Sequence, residues 1–225
     1  MTIKLFSLAI LIMVLTAFSY KQQKKRIVFF GDSITAFGID KEGYITKMDS
    51  IIHVKGKEYE LVGAGISGNR VEDLYNRLDR DVLSKNPDAV VIWIGVNDVW
   101  HGKFVTDSNK IMFSWHYSSI LQQLMQRNIK VIVCTPGVVG EKKDHANKLD
   151  AGLDECADSI RAIAKRYKCP LVDLRTEFVK YDEKHNDANM ENGILTADGV
   201  HLNKVGNFFV AERMWKVIRL LHPRL

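Results

Sequence analysis

The chain has 225 residues, 46% hydrophobic and 26% charged, with 32 Lys and Arg against 27 Asp and Glu for a net charge of +5. That length suits one domain with a full core, and the composition excludes disordered, fibrous and low-complexity classes. The basic residues are scattered except for Lys21, Lys24, Lys25 and Arg26. That run is short and has no aromatic residues interleaved in a folded context, so it reads as the flank of a targeting segment and not as a nucleic-acid patch.

The first segment in chain order is apolar. Lys4 precedes fourteen uncharged residues, Leu5 to Phe18, a length that suits a signal-peptide core and is short for a membrane span. Ala17-Phe18-Ser19 places small residues where a signal peptidase reads. Cleavage is expected after Ser19, leaving Tyr20 as the new N-terminus, with an uncleaved membrane anchor as the competing reading. The chain thus divides into a 1–19 leader and one domain over 20–225, and a periplasmic or extracellular location is expected. No cysteine follows directly on the apolar core, so a lipid-modified cysteine is not expected there. The three cysteines are Cys134, Cys156 and Cys169; their spacing fits no zinc pattern. Cys134 reads as a small buried hydrophobe, and a Cys156–Cys169 disulfide is compatible with an oxidising compartment.

Beyond the leader, short apolar runs alternate with helical patterns. Strands are expected at Ile27–Phe30, Tyr59–Val62, Ala89–Ile94, Val131–Cys134 and Leu171–Val172. Runs that are apolar at every position suit strands buried on both faces, as in a parallel sheet covered by helices. Helices are expected over Val71–Leu83, Ile111–Arg127, Lys148–Tyr167 and Val205–Leu221, where apolar residues recur at helical spacing. This alternation implies βαβ units, right-handed crossovers and a three-layer α/β/α sandwich. In such folds the ligand site lies beyond the carboxyl ends of the strands. Asp32 and Ser33, the segment Gly65 to Asn69, and Asn97 with Asp98 follow the first three strands and should meet in space.

Each of these residues has a structural alternative. Ser33 or Thr35 could cap the helix that follows the first strand, Gly68 could serve only a turn, and Asn97 could cap a helix. As a nucleophile Ser33 needs a base, and Asp198-Gly199-Val200-His201 places a carboxylate and an imidazole three residues apart. There the carboxylate could fix the imidazole tautomer and stabilise the imidazolium formed during catalysis. The same spacing recurs at Asp98/His101, a competitor because it follows the third strand, and at Asp182/His185, which reads as a solvated loop. Donors for a developing oxyanion could come from the Gly68 backbone and the Asn97 amide. A G-x-S-x-G elbow is absent, since Thr35 stands at the second glycine's place; this argues against an α/β-hydrolase fold.

Four blocks in order, Gly31-Asp32-Ser33-Ile34-Thr35, Gly65-Ile66-Ser67-Gly68, Gly95-Val96-Asn97-Asp98 and Asp198-Gly199-Val200-His201-Leu202-Asn203, resemble those of the SGNH hydrolases, or GDSL esterase/lipase superfamily. The resemblance spans nearly the whole chain after the leader. It implies a flavodoxin-like five-stranded parallel sheet of order 2-1-3-4-5. It also implies Ser33 as nucleophile, His201 as general base, Asp198 as its partner, and Ser33, Gly68 and Asn97 as oxyanion donors, with no metal or organic cofactor. The second block departs from the pattern: Gly63 and Ala64 stand where the family often has an asparagine. The expected activity is ester hydrolysis through an acyl-enzyme, most readily deacetylation of a carbohydrate, with Asp32, Trp100 and His101 flanking the pocket. A lysophospholipase or thioesterase activity is the alternative, and a non-catalytic surface-binding module the alternative of another class.

Overall fold

The computed structural model describes residues 24–54 and 59–221. The leader, its cleavage point and Lys21 lie outside the described residues. Five parallel strands, β1 (Lys25–Gly31), β2 (Tyr59–Gly65), β3 (Ala89–Trp93), β4 (Lys130–Cys134) and β5 (Leu171–Val172), form one sheet of order β2-β1-β3-β4-β5. The described helices are α1 (Ser33–Phe37), α2 (Tyr44–Val54), α3 (Val71–Asp81), α4 (Val96–Trp100), α5 (Asp107–Gln126), α6 (Asp150–Tyr167), α7 (Leu174–His185) and α8 (Lys204–Ile218). Two helix groups cover the sheet: α2 packs against α8, and α3 against α5, which in turn meets α6.

The continuous apolar runs behave as their composition requires. Ile27 to Phe30 and Val90 to Ile92 are almost wholly sequestered from solvent, because helices cover both faces of the central strands. β1 and β2 are three residues longer than their apolar segments and β4 one longer, β5 has the expected bounds, and β3 stops at Trp93, one residue short of Ile94. Lys25 and Arg26 belong to β1: Lys25 pairs with Asp88 at 2.8 Å and Arg26 with Glu60 at 3.0 Å. The second half of the basic run is therefore part of the folded sheet and not only a flank of the leader.

Among the longer helices, α2 and α7 were not expected from the sequence, and the short α1 and α4 were considered only as helices that Ser33, Thr35 or Asn97 could cap. The buried face of α7 carries Leu174, Arg175, Phe178 and Asp182, so no purely apolar stripe marks it. Asp182, expected in a solvated loop, is instead buried on this helix. Arg175 beside it reaches Asp150 at 2.8 Å and Asp154 at 2.6 Å; a buried charge of this kind requires such pairing. Helix α5 begins at Asp107, four residues ahead of the Ile111 at which its apolar pattern starts. The side chain of Thr106 accepts from the Asn109 N–H and sets that boundary. The three cysteines are free in the structure, with Cys134 and Cys156 buried, and no bond joins Cys156 to Cys169.

Candidate active site

The parallel register aligns the strand ends. Gly31 pairs with Gly65 on one side and Trp93 on the other, so the chain leaves β1, β2 and β3 at one edge of the sheet. A β-carbon at Gly65 would lie 2.1 Å from the backbone nitrogen of Ala36, so only glycine lets α1 sit this close to the end of β2. Helix α1 begins with Ser33 and is capped by Asp32, whose carboxylate accepts from the Ile34 N–H at 3.0 Å. Neither Ser33 nor Thr35 is the cap; the Thr35 hydroxyl instead lies 3.1 Å from that of Tyr44.

The structure brings Ser33, His201 and Asp198 together across 168 residues of sequence. Ser33 Oγ lies 2.9 Å from His201 Nε2, and His201 Nδ1 lies 2.7 Å from Asp198 Oδ2. With Nδ1–H directed at the carboxylate, the Nε2 lone pair faces the serine hydroxyl. Asp198 Oδ1 accepts from the backbone N–H groups of Val200 at 3.0 Å and His201 at 2.8 Å, so both carboxylate oxygens are engaged within the turn. Partial burial pushes the Asp198 carboxyl up, but the bonds from the His201 ring and the two backbone donors outweigh this and hold it below the ordinary carboxylate value. It is therefore anionic at neutral pH.

Gly68 and Asn97 lie at the ends of β2 and β3. Gly68 has φ +78°, and a β-carbon there would meet nothing within 4 Å; its backbone faces open space. Gly95 has φ +123° and stands in front of Cys156 Sγ at 2.9 Å from where a β-carbon would be. It is the N-cap of α4 and delivers Asn97 into that helix, so Asn97 is inside the helix and not its cap. The Asn97 amide donates to the Asn69 carbonyl at 3.0 Å, which ties the third strand end to the loop holding Gly68.

Two residues that sequence reasoning did not single out hold this arrangement. Arg77 of α3 is buried and spans the strand ends: it donates to the carbonyls of Gly31 at 2.7 Å and Ala64 at 2.9 Å and to Asn69 Oδ1 at 2.7 Å. Its readable signal was a cation three residues after Leu74, on the apolar face of α3. Glu141, in the loop after β4, is fully buried. Its carboxylate accepts from Ile194 at 2.8 Å, Leu195 at 2.6 Å and Thr196 at 2.7 Å, three consecutive N–H groups just before the Asp198 turn. Thr196 in turn accepts from the Gly199 N–H at 3.0 Å and bridges to Leu202. No local pattern marks Glu141, because its partners are more than fifty residues away.

None of the remaining sequence candidates hydrogen-bonds to the side chain of Ser33 or His201. Asp98 is buried and receives the N–H of Val71, the first residue of α3, on both oxygens at 3.3 Å, and it makes no hydrogen bond to His101. Trp100 and His101 end α4 exposed to solvent and make no hydrogen bond or ring contact with Ser33 or His201. Asp32 lies closer. Burial pushes its carboxyl up to about 7, against the pull of the Ile34 N–H, His201 and Arg77. Asp98 is likewise raised to about 7 by burial. Among the described residues no group of three or more His, Cys, Asp or Glu is placed to hold a metal ion. No described helix is long and apolar enough to cross a membrane.

A doubly covered parallel sheet of this order, with a serine, histidine and aspartate in hydrogen-bonded sequence at its carboxyl edge, has the arrangement of a serine hydrolase. Comparison with known proteins places it more narrowly. Residues 29–207 match the model of the GDSL-like lipase/acylhydrolase family, and the chain belongs to that family. The crystal structure of the acetyl xylan esterase AlAXEase superposes with a TM-score of 0.82 and 47% identity, covering 86% of this chain and 99% of that one. An acetylxylan esterase of Geobacillus stearothermophilus is 27% identical over 86% of this chain and 94% of its own length. The uncharacterized lipoprotein YqeF of Bacillus subtilis is 26% identical over 93% of this chain and 96% of its own.

Proposed function

We propose that this protein is an exported O-acetylesterase that removes acetyl groups from carbohydrate, acetylated xylan foremost, through an acyl-enzyme on Ser33. The observation that carries the reading is the continuous bond path from Ser33 through His201 to Asp198 at the strand edge where Gly68 and Asn97 also lie. The choice of acetyl group and sugar rests on the 47% identity to an acetyl xylan esterase along nearly its full length.

In this mechanism the Ser33 hydroxyl attacks the acetyl carbonyl while His201 Nε2 takes its proton, and Asp198 stabilises the imidazolium. The oxyanion of the tetrahedral intermediate is held by the backbone N–H groups of Ser33 and Gly68 and by the Asn97 amide. One hydrogen of that amide is engaged by the Asn69 carbonyl, which leaves the second for the oxyanion. Each such donor is worth on the order of a hundredfold in rate. His201 then protonates the leaving sugar oxygen, the C–O bond breaks, and water attacks the acetyl-enzyme with His201 again as base. Acetate leaves and Ser33 regains its proton.

Export fits a polymeric substrate, which cannot reach an enzyme inside the cell. The apolar segment Leu5 to Phe18 supports that reading.

The test is acetate release from acetylated xylan together with a series of 4-nitrophenyl esters from acetyl to octanoyl. Acetyl is expected to be the best acyl group, and Ser33→Ala is expected to lose at least a thousandfold in kcat. A preference for octanoyl would overturn the acetyl reading in favour of a lipolytic one. Undiminished turnover by Ser33→Ala would overturn the assignment of the nucleophile.

A further inference from the structure

We infer that Phe37 forms the platform on which the alcohol half of the substrate, a pyranose ring, rests during deacetylation. The inference rests on the acetylesterase reading above and extends it to the residue that selects the leaving group. Its starting point is a requirement of the chemistry. The nitrogen that takes the Ser33 proton must later hand it to the leaving oxygen, so that oxygen and the ring bearing it must lie beside His201 Nε2.

The two edges of the imidazole face different surroundings. The Nδ1 edge is turned to Asp198 at 2.7 Å. Behind Asp198 opens a cleft of about 370 Å³ whose lining includes Lys142, Asn147, Lys148 and Asn192. No aromatic ring lines that cleft, and neither does Ser33 or His201. The Nε2 edge is turned to Ser33, the first residue of α1. Phe37, the last residue of the same helix, is four residues on, so it shares the face of α1 that carries the nucleophile.

The Phe37 ring packs edge-on against His201, with centroids 5.2 Å apart and planes at 63°. It is nevertheless 49% exposed, and two further apolar side chains near this end of β2, Ile39 and Ile66, are exposed as well. Ile66 is fixed at the strand end by its N–H bond to the Gly31 carbonyl at 3.2 Å. An aromatic ring that touches the general base and leaves half its surface open is positioned to receive the apolar C–H face of a sugar. Such a contact removes both surfaces from water while the sugar hydroxyls stay at the rim. A small alcohol such as ethanol would leave most of the ring uncovered.

The experiment compares kcat/KM of the wild-type protein, Phe37→Ala and Phe37→Trp on acetylated xylobiose and on ethyl acetate. Phe37→Ala is expected to lose about tenfold more on acetylated xylobiose than on ethyl acetate. Most of that excess should appear in KM, and Phe37→Trp should restore the sugar substrate. An equal loss on both substrates would show that Phe37 acts only by bracing His201, and an absence of loss on both would remove it from the site; either result overturns the platform. Wild-type protein that hydrolyses ethyl acetate but not acetylated xylobiose would overturn the carbohydrate reading itself, a result distinct from the other two.

Discussion

Ser33 gains its place from its neighbours on both sides. Asp32 caps α1 and so frees the Ser33 side chain from the capping role it could otherwise have filled. That service leaves a buried carboxyl under the influence of the His201 imidazole, with its pKa raised to about 7. The consequence for stability has a definite sign. A carboxyl whose folded value lies above its ordinary 3.8 holds a proton in the folded state that the unfolded chain releases. Its contribution to stability is complete below about pH 4 and is lost as the pH rises through 7. Asp32→Asn keeps an acceptor for the Ile34 N–H but cannot ionise. The melting temperature of Asp32→Asn relative to wild type is therefore expected to rise between pH 5 and pH 8. Parallel melting curves for the two proteins across that range would show that Asp32 carries no such burden.

At the scale of elements, the site is assembled from strand ends and held by side chains that never touch substrate. Arg77 links the ends of β1 and β2 to Asn69, and Asn69 is bonded in turn by Asn97 from α4, the helix that follows β3. Glu141 does the same for the last segment, gathering three backbone N–H groups directly before the turn that carries Asp198 and His201. Glu141→Gln would set an NH₂ group against one of these donors, and a buried unsatisfied group costs about 1–3 kcal/mol. The expected outcome is a fall in kcat of about tenfold or more with little change in KM, accompanied by equally slower labelling of Ser33 by a fluorophosphonate. Labelling at the wild-type rate per folded molecule would reduce Glu141 to a purely structural support.

For the molecule as a whole, the doubly covered sheet supplies stability without covalent staples. Cys134 and Cys156 are buried, with thiols pushed well up from their ordinary value by burial, so neither offers a ready thiolate for exchange. Export and free thiols can be read in one measurement, the intact mass of protein recovered from outside the cell after alkylation under denaturing, non-reducing conditions. The mass is expected to correspond to a chain starting at Tyr20 and carrying three adducts. A chain retaining Met1 would refute cleavage after Ser19, and a single adduct would restore the disulfide.

The sequence by itself determined the five strands, their parallel arrangement and the four segments at the sheet edge. Those features are local: an apolar run long enough for a doubly buried strand, or a glycine beside a polar residue at its end, can be read within a few positions. Spacing alone did not separate Asp198/His201 from Asp98/His101 and Asp182/His185; the block resemblance pointed to Asp198/His201, and the tertiary structure brings that pair to Ser33. The choice depends on which turn comes within hydrogen-bond reach of Ser33, and a separation of 168 residues leaves no trace in local pattern. The same holds for α7, whose buried face pairs Arg175 with acidic residues of α6 instead of presenting an apolar stripe. It holds also for Arg77, Glu141 and Phe37, since a buried ion, a carboxylate cradling distant N–H groups and a half-open ring are defined by their surroundings. Ser33 could be suspected from its place after a buried strand, but the partners that the proposed mechanism needs are ones that only folding brings near.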